Sequence, residues 1–422
     1  MTDRTSGLAV HTDRRLVRSV HHSTRYALVE IVAPPAPMSH VRPRVNVAFV
    51  LDRSGSMGGE KIDLAKKAVI EGIERLASED RFAVVMYDHV VDVVAEGRTA
   101  AYDAKQRAIS DLRPVDARGN TDLGGGWLRG AEQVAIGQDP GAVNRVLLLT
   151  DGLANHGITD PAELIRHASE LRARGVSTST FGVGDDFDER LLGGMADAGG
   201  GAFRFIRHAS DIPGLIRSEV GELLEVTAKR VELRIAGPDG IRVEPLSTFA
   251  FDRTSRDGIL HVGDLVADQA VRIVIKIEFP LGEPGRDIGV EFSLRDELGR
   301  LDASTTLTWT FAPGDANDRQ PRDREVDRVV ARAYADRALR DAVDLNRRGE
   351  WDQARDLLRR VARRIRTYAG DDHVLRDIVH ELERESEAWA MQRTELDRKQ
   401  TFAAAAYALK SRAPMGQAER RR

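Results

Sequence analysis

Three short stretches carry oxygen side chains at spacings that suit a hard cation. In Asp52-Arg53-Ser54-Gly55-Ser56 the residues Asp52, Ser54 and Ser56 sit two apart on a loop that leaves an apolar run. Gly119-Asn120-Thr121-Asp122 precedes a helical stretch, and Leu149-Thr150-Asp151-Gly152 closes a second apolar run. Together Asp52, Ser54, Ser56, Thr121 and Asp151 offer carboxylates and hydroxyls, with no sulfur or imidazole. Such donors suit Mg²⁺ or Mn²⁺, and Ca²⁺ also falls within their range. The hydroxyls are neutral, so a bound cation keeps much of its positive field and attracts another carboxylate in trans. A purely structural reading has Ser54 and Ser56 capping the helix that begins near Glu60. It leaves Thr121 and Asp151 at equivalent strand ends unexplained.

The elements that must position these residues are legible from hydrophobic pattern. Apolar runs at 45–51, 82–87, 146–149 and 176–183 alternate with amphipathic stretches such as 61–76, where Ile62, Ala65, Val69, Ile73 and Leu76 form one stripe. Strands without polar alternation imply a sheet covered on both faces by helices. The expectation is a doubly wound α/β domain over residues 45–224. With strand order 3-2-1-4-5-6, the strands before Asp52 and Asp151 are neighbours at the topological switch point, where such sheets bind ligands.

The D-x-S-x-S, Thr and Asp triplet resembles the metal-ion-dependent adhesion site (MIDAS) of von Willebrand factor A (VWA) domains, and all five positions match: Asp52, Ser54, Ser56, Thr121 and Asp151. The resemblance covers about residues 45–224 and extends to the bacterial and inter-alpha-inhibitor-like branch, in which a β domain accompanies the A domain. It implies that the hydroxyls hold Mg²⁺ or Mn²⁺ nearly directly and the aspartates often through water. An Asp or Glu of a protein partner would complete the coordination. The expected function is a metal-dependent adaptor, not an enzyme. The alternative the family suggests is a non-catalytic regulatory subunit acting with an AAA+ ATPase, as in chelatase-like machines. A metal-assisted hydrolase is a third reading, for which no general base is evident.

Outside this region the period changes. Residues 7–33 read as strands, with Leu8 and Val10 and then Tyr26, Leu28, Glu30 and Val32 alternating, until Pro34, Pro35 and Pro37 end them. Residues 229–311 alternate likewise at Val231, Leu233 and Ile235, and at Val271, Ile273, Ile275 and Ile277. This predicts a β-sandwich assembled from residues 1–44 and 225–313, with the α/β domain inserted within it. The polar stretch 313–321 reads as a solvated linker. Residues 322–412 read as a helical C-terminal domain, with stripes such as Ala354, Leu357, Val361, Ile365 and Tyr368. The turn at 346–351 resembles that of a tetratricopeptide repeat, in a single copy. The tail after Pro414 reads as disordered.

Composition narrows the function classes. A chain of 422 residues exceeds one compact core, and a formal net charge of -4 supplies no basic field for nucleic acid. Arg420, Arg421 and Arg422 are too few to change that. Cysteine is absent, which removes disulfides and thiolate chemistry. No basic and apolar leader opens the sequence and no apolar run approaches a membrane span, so a cytoplasmic location is expected. Arginine exceeds lysine and alanine is abundant, a composition typical of GC-rich bacterial genomes. Gly55 to Lys61 lacks P-loop spacing, and Ser54 stands where a nucleophile elbow needs glycine. His89 and His156 lie near strand ends, but a serine triad built on them has nothing else to recommend it. His380-Glu381 lacks the second histidine of a zinc helix, and the acidic loop ending at Asp188 reads as a helix cap.

Overall fold

The computed structural model describes residues 7–36, 42–254 and 257–421. The first six residues of the N-terminal segment, Pro37 of the proline break and Arg422 of the arginine run lie outside the described residues. The chain divides into two compact units. One comprises Met1–Pro35, Arg230–Val262 and Asp268–Arg422, and the other Ala36–Lys229 with Gly263–Ala267.

Strands β1 (Gly7–Thr12), β2 (Leu16–Arg18) and β3 (Ser23–Val32) precede the α/β unit. That unit runs β4 (Val45–Asp52), α1 (Glu60–Arg75), β5 (Arg81–Tyr87), β6 (Val91–Thr99), α2 (Tyr102–Leu112), α3 (Leu123–Ile136), β7 (Val143–Thr150), α4 (Pro161–Ala173), β8 (Ser177–Val183), α5 (Glu189–Ala198), β9 (Gly200–Ile206) and α6 (Ile212–Leu224). Its sheet has the order β6-β5-β4-β7-β8-β9, parallel except for the β5–β6 hairpin at the edge. Every residue of β4 and β7 is buried, because helices cover both faces of these central strands. The α1 stripe of Ile62, Ala65, Val69 and Ile73 packs with Phe49, Phe82 and Val220 in one core. Asp188 caps α5 by accepting from the Arg190 and Leu191 amides. A buried ion network ties α6 to the strands: Glu219 accepts from Arg204 (2.8 Å), Ser179 (2.6 Å) and Arg145 (3.3 Å). Arg145 also reaches Asp264 at 2.7 Å.

The second unit continues with β10 (Val226–Ala236), β11 (Arg242–Pro245), β12 (Ala250–Arg253), β13 (Asp257–Val266), β14 (Ala270–Phe279), β15 (Asp287–Arg295) and β16 (Asp302–Ala312). Two sheets form, β1-β3-β14-β11 and β12-β13-β10-β15-β16-β2. The N-terminal strands complete both of them. β3 is antiparallel to β14 along its whole length, and β2 runs parallel to the end of β16. Between the sheets the Phe279 ring lies 4.9 Å from Trp309, whose indole donates to Thr12 Oγ1 at 3.1 Å.

Helices α7 (Gly314–Arg319), α8 (Arg324–Arg347), α9 (Trp351–Ala369), α10 (His373–Ala388) and α11 (Glu395–Leu409) belong to the same compact unit as the sandwich rather than to a body of their own. Val326 and Val330 of α8 pack on Tyr26, Leu28 and Val274. This changes the reading of β3: Tyr26 and Leu28 face the helices, while Ala27, Val29 and Ile31 occupy the opposite, fully buried face. The stretch 313–321 is not a solvated linker. It holds α7, whose Asn317 is buried and accepts from Arg25, while Gln320 accepts from the Leu16 amide at 2.7 Å. Gln320 satisfies both the amide and the carbonyl of Leu16 in β2, which is why a polar sequence is ordered here. The tail is ordered too. The Ala270 amide donates to Glu419 O (2.8 Å) and the Arg421 amide to Asp268 O (2.9 Å), so the tail lies along the start of β14.

Candidate metal centre

Strands β4 and β7 end side by side and deliver Asp52 and Asp151 to one spot. Asp52 is fully buried; its Oδ1 accepts from the Ser54 amide at 2.7 Å and its Oδ2 from Thr150 Oγ1 at 2.6 Å. Ser56 Oγ donates to Asp151 Oδ1 at 2.7 Å and lies 3.1 Å from Ser54 Oγ. Thr121 arrives from the loop before α3. A methyl group built on Gly152 would stand 3.4 Å from Thr121 Oγ1, 3.8 Å from Ser56 Oγ and 4.0 Å from Asp52 Oδ2. Oxygens from two segments, the β4–α1 junction and the loop before α3, thus face the space above Gly152. All five sequence-selected residues therefore meet in one place.

Electrostatics favour a cation there. Burial, against hydrogen bonds from Thr150 and Ser54, pushes the Asp52 carboxyl up to about 6, and the neighbouring Asp151 charge adds to the rise. Tyr87 is completely buried, and among the described residues its hydroxyl has no hydrogen-bond partner of normal geometry. Burial first, and then the Asp52 charge, hold that phenol well above its ordinary range. An unpartnered donor beside a buried carboxylate fits a site that takes a further oxygen ligand. Among the described residues no three His, Cys, Asp or Glu side chains gather to hold a metal. A cation held here would draw on hydroxyls as well as carboxylates, and the residues present fit a hard divalent ion.

The supporting contacts lie outside the motif. Asp88, at the β5–β6 turn, is buried and accepts from Arg53 Nε (3.0 Å) and Arg118 Nε (2.8 Å). Its backbone oxygen accepts from the Asp122 amide at 2.8 Å. The Gly55 amide donates to Gly119 O (3.1 Å), and Asn155 Oδ1 accepts from the Thr121 amide (2.9 Å). Four loops are thereby locked to one another. Helix α3, capped by Asp122 through the Gly125 amide, comes close enough because Gly126 and Gly130 have no Cβ. A Cβ at Gly126 would lie 2.3 Å from Tyr87 Cγ, and one at Gly130 2.2 Å from Val50 Cγ2. Lys61 pairs with Asp151 Oδ2 and donates to Ser56 O at 3.3 Å, placing an internal cation at the rim. It entered the sequence reading only as the misplaced lysine of a P-loop. His89 and His156 do not bond either serine; they lie 3.3 Å from Asp88 and 3.6 Å from Asp122.

Residues 46–216 match the von Willebrand factor type A domain family. This stretch is a von Willebrand factor type A domain. The chain is similar to protein YfbK of Escherichia coli, 32% identical over 195 residues, or 46% of this chain and 34% of YfbK. Protein sll0103 of Synechocystis is 29% identical over 280 residues, covering 63% of this chain and 64% of sll0103. Inter-alpha-trypsin inhibitor heavy chain H1 of Sus scrofa is 28% identical over 208 residues, 47% of this chain and 23% of the heavy chain. The chain thus spans less than two thirds of each of these relatives. Among solved structures, a von Willebrand factor type A protein from Catenulispora acidiphila gives a TM-score of 0.69 at 20% identity, over 92% of this chain and 98% of that one. The ArnB paralog VWA2 from Sulfolobus acidocaldarius gives 0.62 at 15% identity, over 99% and 100%. Both share the fold. Among the described residues no helix is long and apolar enough to cross a membrane.

Proposed function

We propose that the chain is a metal-dependent adaptor, not an enzyme, whose A domain recognises an acidic residue of a protein partner. Asp52, Ser54, Ser56, Thr121 and Asp151 hold Mg²⁺ or Mn²⁺. When bound, the cation supplies a positive centre that these two carboxylates do not quench. Asp52 anchors the site through Thr150 and the Ser54 amide, and Asp151 orients Ser56. The carrying observation is the convergence of Thr121, Ser56 and Asp52 oxygens on the open space above Gly152. Recognition is favoured over hydrolysis because Ser56 donates to a carboxylate and faces no histidine base.

The test is affinity capture with the wild-type chain and with Thr121→Ala, each in Mg²⁺ and in EDTA. Thr121→Ala removes one donor and leaves the core intact, so circular dichroism is expected to show an unchanged fold. Partners are expected only on the wild type in Mg²⁺, and an acidic-to-amide change in the partner is expected to release it. Equal capture in all four arms would sink the proposal. An AAA+ ATPase among the captured proteins, stimulated by the chain in a Mg²⁺-dependent way, would identify the adaptor as a regulatory subunit.

A further inference from the structure

A second polar site lies in the sandwich unit, under the helical hairpin. A cavity of about 440 Å³ opens between β3, α8 and α9, within the size range of small-ligand sites. Its walls carry Tyr26, Tyr334 and Tyr368 together with Arg14, Arg322, Arg360 and Arg364. Tyr26 and Tyr334 meet edge to face with their hydroxyls 3.0 Å apart. Arg322 lies over the Tyr368 ring at 4.7 Å and Arg364 over Tyr334 at 5.8 Å.

The charges do not balance within the cavity. Asp13, the carboxylate of the lining, is buried and engaged by Arg14 at 3.3 Å and Arg322 at 4.0 Å. Arg322 is further paired to Asp327 at 2.5 Å. Arg360 and Arg364 stand one helical turn apart on α9, and among the described residues neither forms an ion pair. The polar contact of Arg364 is the Tyr26 hydroxyl at 3.4 Å. On the same helix Arg355, Arg359 and Arg366 are paired with Asp352, Glu387 and Glu383, while Arg363 is likewise unpaired among the described residues but lies outside the lining. Two guanidiniums without counter-charges are free to take an anion, and their planar forks match the oxygens of a phosphate group. The tyrosine rings then offer a face to whatever the phosphate is attached to.

We propose that this cavity binds a phosphate monoester, with Arg360 and Arg364 as the charge partners of its dianion. The ester is either a free small molecule or a phosphorylated side chain of another protein. Calorimetry on the full chain with phenyl phosphate, benzoate and a short phosphotyrosine peptide tests this. Phenyl phosphate is expected to bind saturably, with Arg360→Gln and Arg364→Gln each weakening it about tenfold or more. Both side chains are exposed, so these variants keep the fold, which the unchanged melting temperature without ligand would verify. Arg363→Gln, exposed and outside the lining, is expected to leave binding unchanged. Tighter binding of the peptide than of phenyl phosphate assigns the ester to a protein side chain, and weaker binding assigns it to a small molecule. The proposal is overturned by absence of saturable binding, by benzoate binding as tightly as phenyl phosphate, or by an equal loss in Arg363→Gln.

Discussion

Asp52→Asn, studied in EDTA, isolates the cost of keeping a charge at the centre of the site. In the metal-free chain the Asp52 carboxyl titrates at about 6 rather than 3.8. Between those values the folded state binds its proton more tightly than the unfolded chain does. The corresponding stability is complete below about 3.8 and is lost as pH rises through about 6. At roughly 1.36 kcal/mol for each tenfold change in proton affinity, the loss is about 3 kcal/mol. Asparagine carries no charge at either end of this range. It keeps an acceptor for the Ser54 amide but loses the one that faces Thr150, at a cost of about 1 kcal/mol. Urea unfolding in EDTA is therefore expected to find the variant about 1 kcal/mol less stable near pH 3 and about 2 kcal/mol more stable near pH 7.5. Mg²⁺ should reverse the order at the higher pH. A hundredfold excess over Kd adds about 2.7 kcal/mol to the wild type and nothing to a variant that does not bind. An identical difference at both pH values would refute the buried-charge argument. Equal stabilisation of both proteins by Mg²⁺ would show that the cation is held elsewhere.

Three further outcomes follow from the packing around the site. Gly126→Ala forces a methyl group against the buried Tyr87 ring, so the expected overpacking cost of about 1–3 kcal/mol outweighs the gain of about 1 kcal/mol in helix propensity. Mg²⁺ affinity should fall with it as α3 carries Thr121 away, and unchanged stability and affinity in denaturation and titration would contradict the close-approach argument. Glu219→Gln leaves the buried Arg204 guanidinium with Glu222 as its remaining carboxylate partner and is expected to destabilise the A domain by about 3 kcal/mol in urea unfolding; a loss under about 1 kcal/mol would mean that the network is solvated. Lys61→Met removes the ammonium that competes for Asp151, and because that side chain is 31% exposed the gain in Mg²⁺ affinity is modest, about fivefold. Weaker Mg²⁺ binding by this variant in calorimetry would show that Lys61 supports the site instead.

What could be read from the sequence was whatever is encoded locally. Ser54 and Ser56 follow Asp52 at fixed spacing, and Thr121 and Asp151 stand at the ends of recognisable elements, so their convergence needed only the strand order. Thr150, Asn155, Lys61 and the Asp88–Arg53–Arg118 cluster act through partners tens of residues away, and nothing in their immediate neighbours marks them. The glycines of α3 carry a propensity cost that only the strands beneath them explain. Tyr26 and Leu28 alternate like a half-buried strand, yet period two cannot say that the second face of β3 lies under α8. The polar stretch 313–321 and the tail looked unstructured because their order comes from pairing with distant backbone, not from apolar content.

The pairing of β3 with β14 also sets a timetable for the nascent chain. Ser23 meets Phe279 and Val32 meets Ala270, so roughly 240 residues must be synthesised before β3 finds its long-range neighbour. At about 5–20 residues per second that delay is on the order of tens of seconds. Every strand of the A-domain sheet emerges in the interval, so the A domain can finish folding while β3 still waits at the ribosome. During that time the hydrogen-bonding edge of β3 that faces β14 is open, and it belongs to a run of Ala27, Leu28, Val29 and Ile31. An early stop or a pause before Ala270 would release a finished A domain attached to a sticky, unpaired strand. Translation speed across residues 45–270 thus becomes a determinant of yield that no property of the finished molecule reveals.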